Sequence, residues 1–276
     1  MRPSEVLLRA ADYLDRHDVE SPKETAELLL MHVLRVDRAG LHVRDEGLDA
    51  REARMFGRAI CRRCAGTPVQ HLTGEQGFRR ITLEVRPGVF VPRPETEMLV
   101  EHALEALGDR EDPVVVDAGT GTGAIALAIK DERPDATVFG TDLSAEAVEL
   151  ARANAERLGL DVTVSEGDLL EPLPSDLRGW VDLVLSNPPY VPPEEIDDLP
   201  PEVRADPRRA LAGGTEIHRR LAEQAPRWLR SRGMLAVEID ARQGEEVTAL
   251  LSGRFADVRL ECDLAGRDRV VLARMP

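Results

Sequence analysis

The chain has 276 residues, with 36 Lys and Arg against 51 Asp and Glu for a formal net charge of −15, a length that suits one large domain with a smaller companion. No window of about 18 apolar residues occurs and no basic-then-apolar leader opens the chain, so neither a membrane span nor a secretory signal is expected and the expected location is cytoplasmic. Residues 1–85 carry 14 basic and 14 acidic side chains and residues 86–276 carry 22 and 37, so the acidic excess lies in the second part and weighs against direct nucleic-acid binding, which draws on clustered cations.

The first 75 residues or so read as helices. Ser4 precedes a periodic run, Val6, Leu7, Ala10, Ala11 and Leu14. Ser21-Pro22-Lys23-Glu24 has the pattern of a capping box with proline at the first helical position, ahead of an apolar stretch to Leu34. Asp49-Ala-Arg-Glu52 repeats that signature before Met55, Ala59 and Ile60. A small helical bundle is expected over 1–75. Cys61 and Cys64 have metal-type spacing but fall in a helical pattern without a second pair, so they read, with Cys262, as reduced thiols and no metal site is expected.

Residues 76–92 read as a linking β-hairpin. Phe78–Val85 alternates like a strand, Arg86-Pro-Gly88 supplies a turn, and Val89-Phe-Val91 could return. Pro92-Arg-Pro-Glu-Thr96 then leads into a helix over 97–107.

Residues 93–276 alternate strands and helices, the pattern of an open, mostly parallel α/β sheet. Strands are expected near 114–117, 137–141, 161–165, 181–186, 233–239, 255–261 and 269–273. The last two have no crossover helix between them and suit an antiparallel edge. Val114–Asp117, then Ala-Gly119-Thr120-Gly121-Thr122-Gly123, then an apolar helix forms the strand–turn–helix opening of a nucleotide-binding unit. Asp142 ends the second strand 23 residues past Gly119, close to the roughly 20 expected for a carboxylate on ribose hydroxyls. Asp168 and Leu169 follow the third strand, where an acid could meet an adenine amine. Spacing by itself does not exclude NAD. Acidic edges at Asp117, Asp142 and Asp168 suit the sulfonium of S-adenosylmethionine better than a pyrophosphate.

The fourth strand runs into Asn187-Pro188-Pro189-Tyr190. Prolines stop the strand and stiffen the loop. The Asn187 side-chain oxygen and the Pro188 carbonyl can accept two N–H bonds from one small target, and the Tyr190 ring can cover it. A planar NH2 group fits, either an adenine amine or a glutamine amide. Asn187 would also border the cofactor. His71, His102 and His218 lie outside this loop and read as structural or solvated.

The glycine turn followed by N-P-P-Y resembles the amino-methylating S-adenosylmethionine-dependent methyltransferases. Val91-Pro-Arg-Pro-Glu-Thr-Glu97, Thr67–Gly74 and Asp263-Leu-Ala-Gly-Arg-Asp-Arg-Val270 narrow the resemblance to release-factor glutamine methyltransferases of the HemK/PrmC type, from about residue 5 to the C-terminus. The resemblance implies a Rossmann-like fold and N5-methylation of the glutamine in the Gly-Gly-Gln loop of class 1 release factors. It also implies that the helical region recognises the protein substrate and that the 92–96 segment overlies the cofactor pocket. Asp206-Pro207 and Gly213-Gly214-Thr215-Glu216-Ile217 depart from the family's Glu-Pro and Gly-Gly-x-Asp-Gly-Leu. Alternatives of the same chemistry are a ribosomal-protein glutamine methyltransferase and a nucleic-acid adenine or guanine amino-methyltransferase; a non-catalytic α/β binding protein is the alternative of a different class. A monomer is expected.

Overall fold

The computed structural model describes residues 2–276, which divide into two compact units. One comprises residues up to 75 together with 200–205; the other comprises 76–199 and 206–276.

The first unit is helical: α1 (Pro3–Asp15), α2 (Pro22–Leu34), α3 (Arg38–Val43), α4 (Ala50–Cys64) and α5 (Val69–Thr73). Leu14, Leu29, Leu30, Phe56 and Ile60 form its core, on the faces that the 3.6-residue period brings together. The Asp49 capping box forms with both reciprocal hydrogen bonds. The expected box at Ser21 does not. Ser21 adopts a left-handed conformation (φ 48°) and its side chain makes no cap bond, so the helix starts on Pro22 alone. Ser4 lies inside α1 rather than ahead of it, because Pro3 occupies the first turn. Cys61 and Cys64 sit on α4 as free thiols. From the excursion at 200–205, Glu202 pairs with Arg63, whose guanidinium is almost fully buried.

The second unit opens with β1 (Glu75–Phe78) and β2 (Ile81–Glu84), a separate two-stranded sheet. This corrects the expected hairpin. The reversal falls at Arg79-Arg80, not at Arg86–Gly88, and Val89–Val91 form no strand. Arg79 takes φ +50° there, held by its backbone N–H on the Glu97 carboxylate (3.0 Å) and its guanidinium on Glu132. A non-glycine residue is uncommon in that region, and these tertiary partners keep Arg79 there.

Then come α6 (Glu97–Leu107), β3 (Val114–Ala118), α7 (Ala124–Glu132), β4 (Thr137–Asp142), α8 (Ala145–Leu158), β5 (Val162–Glu166) and β6 (Val181–Ser186). They are followed by α9 (Arg208–Leu211), α10 (Glu216–Gln224), β7 (Leu229–Glu238), α11 (Gly244–Ser252), β8 (Asp257–Cys262) and β9 (Asp268–Arg274). The seven strands lie in the order β5-β4-β3-β6-β7-β9-β8, parallel except for β9, which runs antiparallel to both neighbours. Successive residues point to opposite faces. Val115, Leu183, Leu185 and Ala236 therefore pack with α6 and α7, while Val116, Val184, Leu235 and Val237 pack with α10 and α11. Both faces are covered, which is why these strands read as continuous apolar runs.

Strand order reverses between β3, which continues outward through β4, and β6. Ligands of open α/β sheets bind beyond the carboxyl ends of strands at such a switch point.

Candidate active site

The loops after β3, β4, β5 and β6 converge at that switch point on a cavity of about 360 Å³. This volume lies within the ordinary range of small-ligand sites. Gly119, Gly121, Asp142, Asp168, Leu169, Asn187 and Pro189 line it. The N–H groups of Gly119 and Thr120 donate to the Thr141 carbonyl (2.8 and 2.9 Å), which pins the glycine turn to the end of β4. Gly119 (φ 78°) and Gly121 (φ 56°) are left-handed and face open space, so their backbone is reachable by a ligand.

The predicted cofactor residues fall into two layers. Asp142 is on the cavity wall. One of its oxygens accepts from Gly121 N–H and the other from Ser144 N–H, both at 2.9 Å, which leaves each a lone pair for a hydroxyl. Asp117 lies beneath, fully buried. It accepts from Thr120 Oγ1 (2.6 Å) and Ala126 N–H (3.2 Å), and burial pushes its carboxyl up to about 7. Thr120, Thr122 and Gly123 likewise fall outside the lining. This group shapes the turn: a Cβ on Gly123 would press within 2.9 Å of Leu127. Asp168 lines the cavity but is paired at 2.5 Å with Arg220 of α10. Leu169 holds φ +50°, its carbonyl accepting from Thr141 Oγ1 at 2.6 Å.

The Asn187–Tyr190 loop is anchored at both ends. Ser186 Oγ donates to the Ala118 carbonyl (2.6 Å), and Gln243 Nε2 donates to the Tyr190 carbonyl (2.9 Å). Val191 joins Leu211 and Gly213 through backbone bonds of 2.9 and 3.0 Å. Asn187 Nδ2 donates to Thr96 Oγ1 at 3.0 Å. That bond turns the nitrogen end of the carboxamide toward Thr96, and its oxygen remains available as an acceptor at the cavity wall. Pro188 is buried, Tyr190 half-buried; burial raises the Tyr190 phenol well above its ordinary value, so it is neutral.

The 92–96 segment does not line the cavity; Gly88, Val89 and Phe90 just before it do. Arg93 pairs with buried Asp206 and lies 5.2 Å over the Phe90 ring. Asp206 also accepts from Val91 N–H (3.2 Å), and burial lifts its carboxyl to about 6 despite Arg93. His218 is structural, buried on α10 with Nε2 at 2.9 Å from the Glu238 carbonyl. His102 sits 3.4 Å from Glu105.

Sequence reasoning missed much of the far wall: Leu143, Ser144, Arg209 and Arg220, none of which stands in a patterned motif; Ile217, at the end of the altered Gly213–Ile217 stretch, completes it. It also missed Thr96 and Glu238 behind the loop. Glu238 carried a signal, an acid in the apolar run Met234–Ile239.

Fold and site together define a Rossmann-like methyltransferase. A T. thermophilus 16S rRNA N2 G1207 methyltransferase, solved with AdoMet and guanosine, shares the fold (TM-score 0.56, 20% identity, 73% of this chain and 50% of that one). The PrmC N-terminal domain model matches residues 5–74 and the methyltransferase small domain model matches 80–266. Release factor glutamine methyltransferases of Deinococcus radiodurans (43% identical, 99% of both chains) and Mycolicibacterium smegmatis (44%, 92% of this chain and 91% of that one) are similar throughout. The chain belongs to the release factor glutamine methyltransferases.

Proposed function

We infer that the chain methylates N5 of the glutamine in the Gly-Gly-Gln loop of class 1 release factors, with S-adenosylmethionine as donor. The observation that carries this reading is the orientation of Asn187. Its nitrogen is turned to Thr96, and its oxygen is offered beside a cavity edged by Gly119, Gly121 and Asp142. Those residues suit the cofactor: open glycine backbone for close approach, and an acidic wall with spare lone pairs for ribose hydroxyls. When bound, the cofactor supplies an electrophilic methyl group.

The chain's own residues do the rest. An amide nitrogen is a weak nucleophile because its lone pair is delocalised. Asn187 Oδ1 and the Pro188 carbonyl accept its two N–H bonds, fix it for in-line attack and compensate the positive charge that grows on it. The Tyr190 ring covers the amide plane. No strong base is required, since the methylated amide cation sheds its proton readily. The helical unit, residues 1–75, serves as the recognition module for the protein substrate, and the enzyme works as a cytoplasmic monomer. Among the described residues no helix is long and apolar enough to cross a membrane.

The test is methyl transfer from labelled donor to a release factor, its Gln→Ala variant, a ribosomal protein and DNA. Label is expected on the release factor alone, and only with the glutamine present; label on DNA or on the ribosomal protein alone overturns the assignment. Asn187→Ala should lower turnover by about 10²- to 10³-fold, the usual cost of deleting one charge-compensating partner. Calorimetry should find donor affinity little changed.

A further inference from the structure

Asn187 can work only in one of two orientations. A carboxamide turned by 180° would offer its NH2 to the substrate's NH2, two donors facing each other, and the clamp would be lost. Thr96 decides between them, because it receives the Asn187 Nδ2–H at 3.0 Å. A hydroxyl both donates and accepts, so it discriminates only if its own proton is directed elsewhere. Thr96 is 3% exposed, which leaves little access for water to take that proton.

Glu238 stands where that proton can go. This residue ends β7, whose Val237 pairs with Ser186 just before Asn187, is 1% exposed, and has Thr96 and Tyr190 within reach of its carboxyl. Its Oε2 is buried without a hydrogen-bond partner, an expensive arrangement for a side chain kept only for packing. We propose that Glu238 is a positioning residue for the methyl transfer, its carboxylate forcing Thr96 to donate inward and thereby turning the Asn187 oxygen to the substrate; this rests on the methyltransferase reading above. A carboxylate only accepts, so the relay runs one way. A protonated Glu238 can donate to Thr96, free the Thr96 proton for Asn187 Oδ1, and reverse the carboxamide.

Burial drives the Glu238 carboxyl up to about 7, with Glu95 beside α6 adding to the rise and Arg269 of β9 opposing it. Thr96 and Tyr190, on the loop side, also oppose the rise. His218, which bonds the Glu238 carbonyl rather than its carboxyl, is held neutral by burial, and Asp240 acts on Tyr190. The relay should therefore switch on as pH rises through about 7.

Full-length Glu238→Gln, Thr96→Val and Thr96→Ser separate this from a packing role. For the wild-type enzyme, kcat should climb through that pH and level off. Glu238→Gln should lose at least tenfold in kcat and lose the step, with KM for the donor unchanged and thermal stability at pH 8 equal or higher. Thr96→Val should match it, the double variant should lose nothing further, and Thr96→Ser should retain most activity. Nitrogen-edited NMR of the Asn187 carboxamide gives a readout that needs no substrate: its resonances should shift across pH 6–8 in the wild type and stay fixed in Glu238→Gln. A pH-insensitive Asn187 carboxamide in the wild type, or Thr96→Ser as impaired as Thr96→Val, would overturn the relay. Absence of label on the release factor with the NMR shift intact would sink the substrate assignment and leave the relay standing.

Discussion

Gly213 is the residue on which the catalytic loop closes. A Cβ there would overlap the Pro189 carbonyl oxygen and sit 2.8 Å from its carbon, backbone that cannot swing aside. Its neighbour Gly214 has a positive φ of 56° but open space around it. Gly213→Ala should therefore push the Asn187–Tyr190 loop outward by a fraction of an ångström to an ångström and cost about 100-fold in kcat. Gly214→Ala should cost only about 1 kcal/mol of stability through its left-handed backbone and leave kcat near normal. Steady-state kinetics on the pair decides; equal kcat values would show that the contact does not set the loop. The glycine pair stood out in the sequence as part of an altered family pattern. Its physical demand was not legible there, because Pro189 approaches it only through the Val191–Leu211 and Val191–Gly213 backbone bonds.

Among elements, the β1–β2 turn shows how tertiary contacts override local turn chemistry. Arg86-Pro-Gly88 has the composition of a turn, yet the sheet reverses at Arg79-Arg80, where no glycine or asparagine eases a positive φ. Phe78, Ile81 and Leu83 all enter the core, so burial fixes where the strands must stop. Glu132 at the end of α7, with its side chain 7% exposed, then locks Arg79 in place. That pairing also holds the Glu132 carboxyl below its ordinary range. Arg79→Ala leaves the carboxylate buried with only Arg80, 3.7 Å away, as cation, and should cost about 2 kcal/mol. In a chain of this size that is a fall of about 4–8 °C in Tm. Arg79→Gly loses the same pair but relaxes the backbone, so it should melt above Arg79→Ala; calorimetric melting of Arg79→Ala equal to wild type would show that the pair contributes nothing. The catalytic strands were easier to anticipate. Each is an apolar run between turn residues, and their observed limits lie close to the expected ones, except that β7 begins at Leu229 and carries a register shift opposite Val181–Leu183.

For the whole molecule, burial of carboxyls sets the pH response of stability. Asp117 and Glu238 are pushed up to about 7 and Asp206 to about 6, each chiefly by desolvation. Their folded forms bind the proton more tightly than the unfolded chain does. The stability they contribute is present in full below about pH 4, the unfolded carboxyl range, and is lost as pH rises through 6 to 7. Carboxylates held by side-chain hydrogen bonds, such as Glu132, Asp135 and Glu146, are shifted the other way and act only at lower pH. The melting temperature should accordingly fall between pH 5 and pH 8, and Glu238→Gln should shallow that fall. Scanning calorimetry checks it; a Tm that climbs over the same interval would contradict the burial account.

The sequence by itself determined the class of sheet, the glycine turn on β3 and the Asn-Pro-Pro-Tyr loop on β6, because each is a property of neighbours along the chain: apolar runs, turn formers and a proline-stiffened acceptor pair. It placed Asp142, Asp168 and Asn187 at carboxyl ends of strands, where the cavity opens. Tertiary structure alone decided that Asp117 lies beneath the turn while Asp142 faces the cavity, that Arg220 meets Asp168, and that Thr96 reaches Asn187 across 91 residues. The reason is topological. Placing β6 between β3 and β7 brings three distant segments against one loop, and the partner of a buried polar group is chosen by that meeting rather than by anything adjacent in the chain.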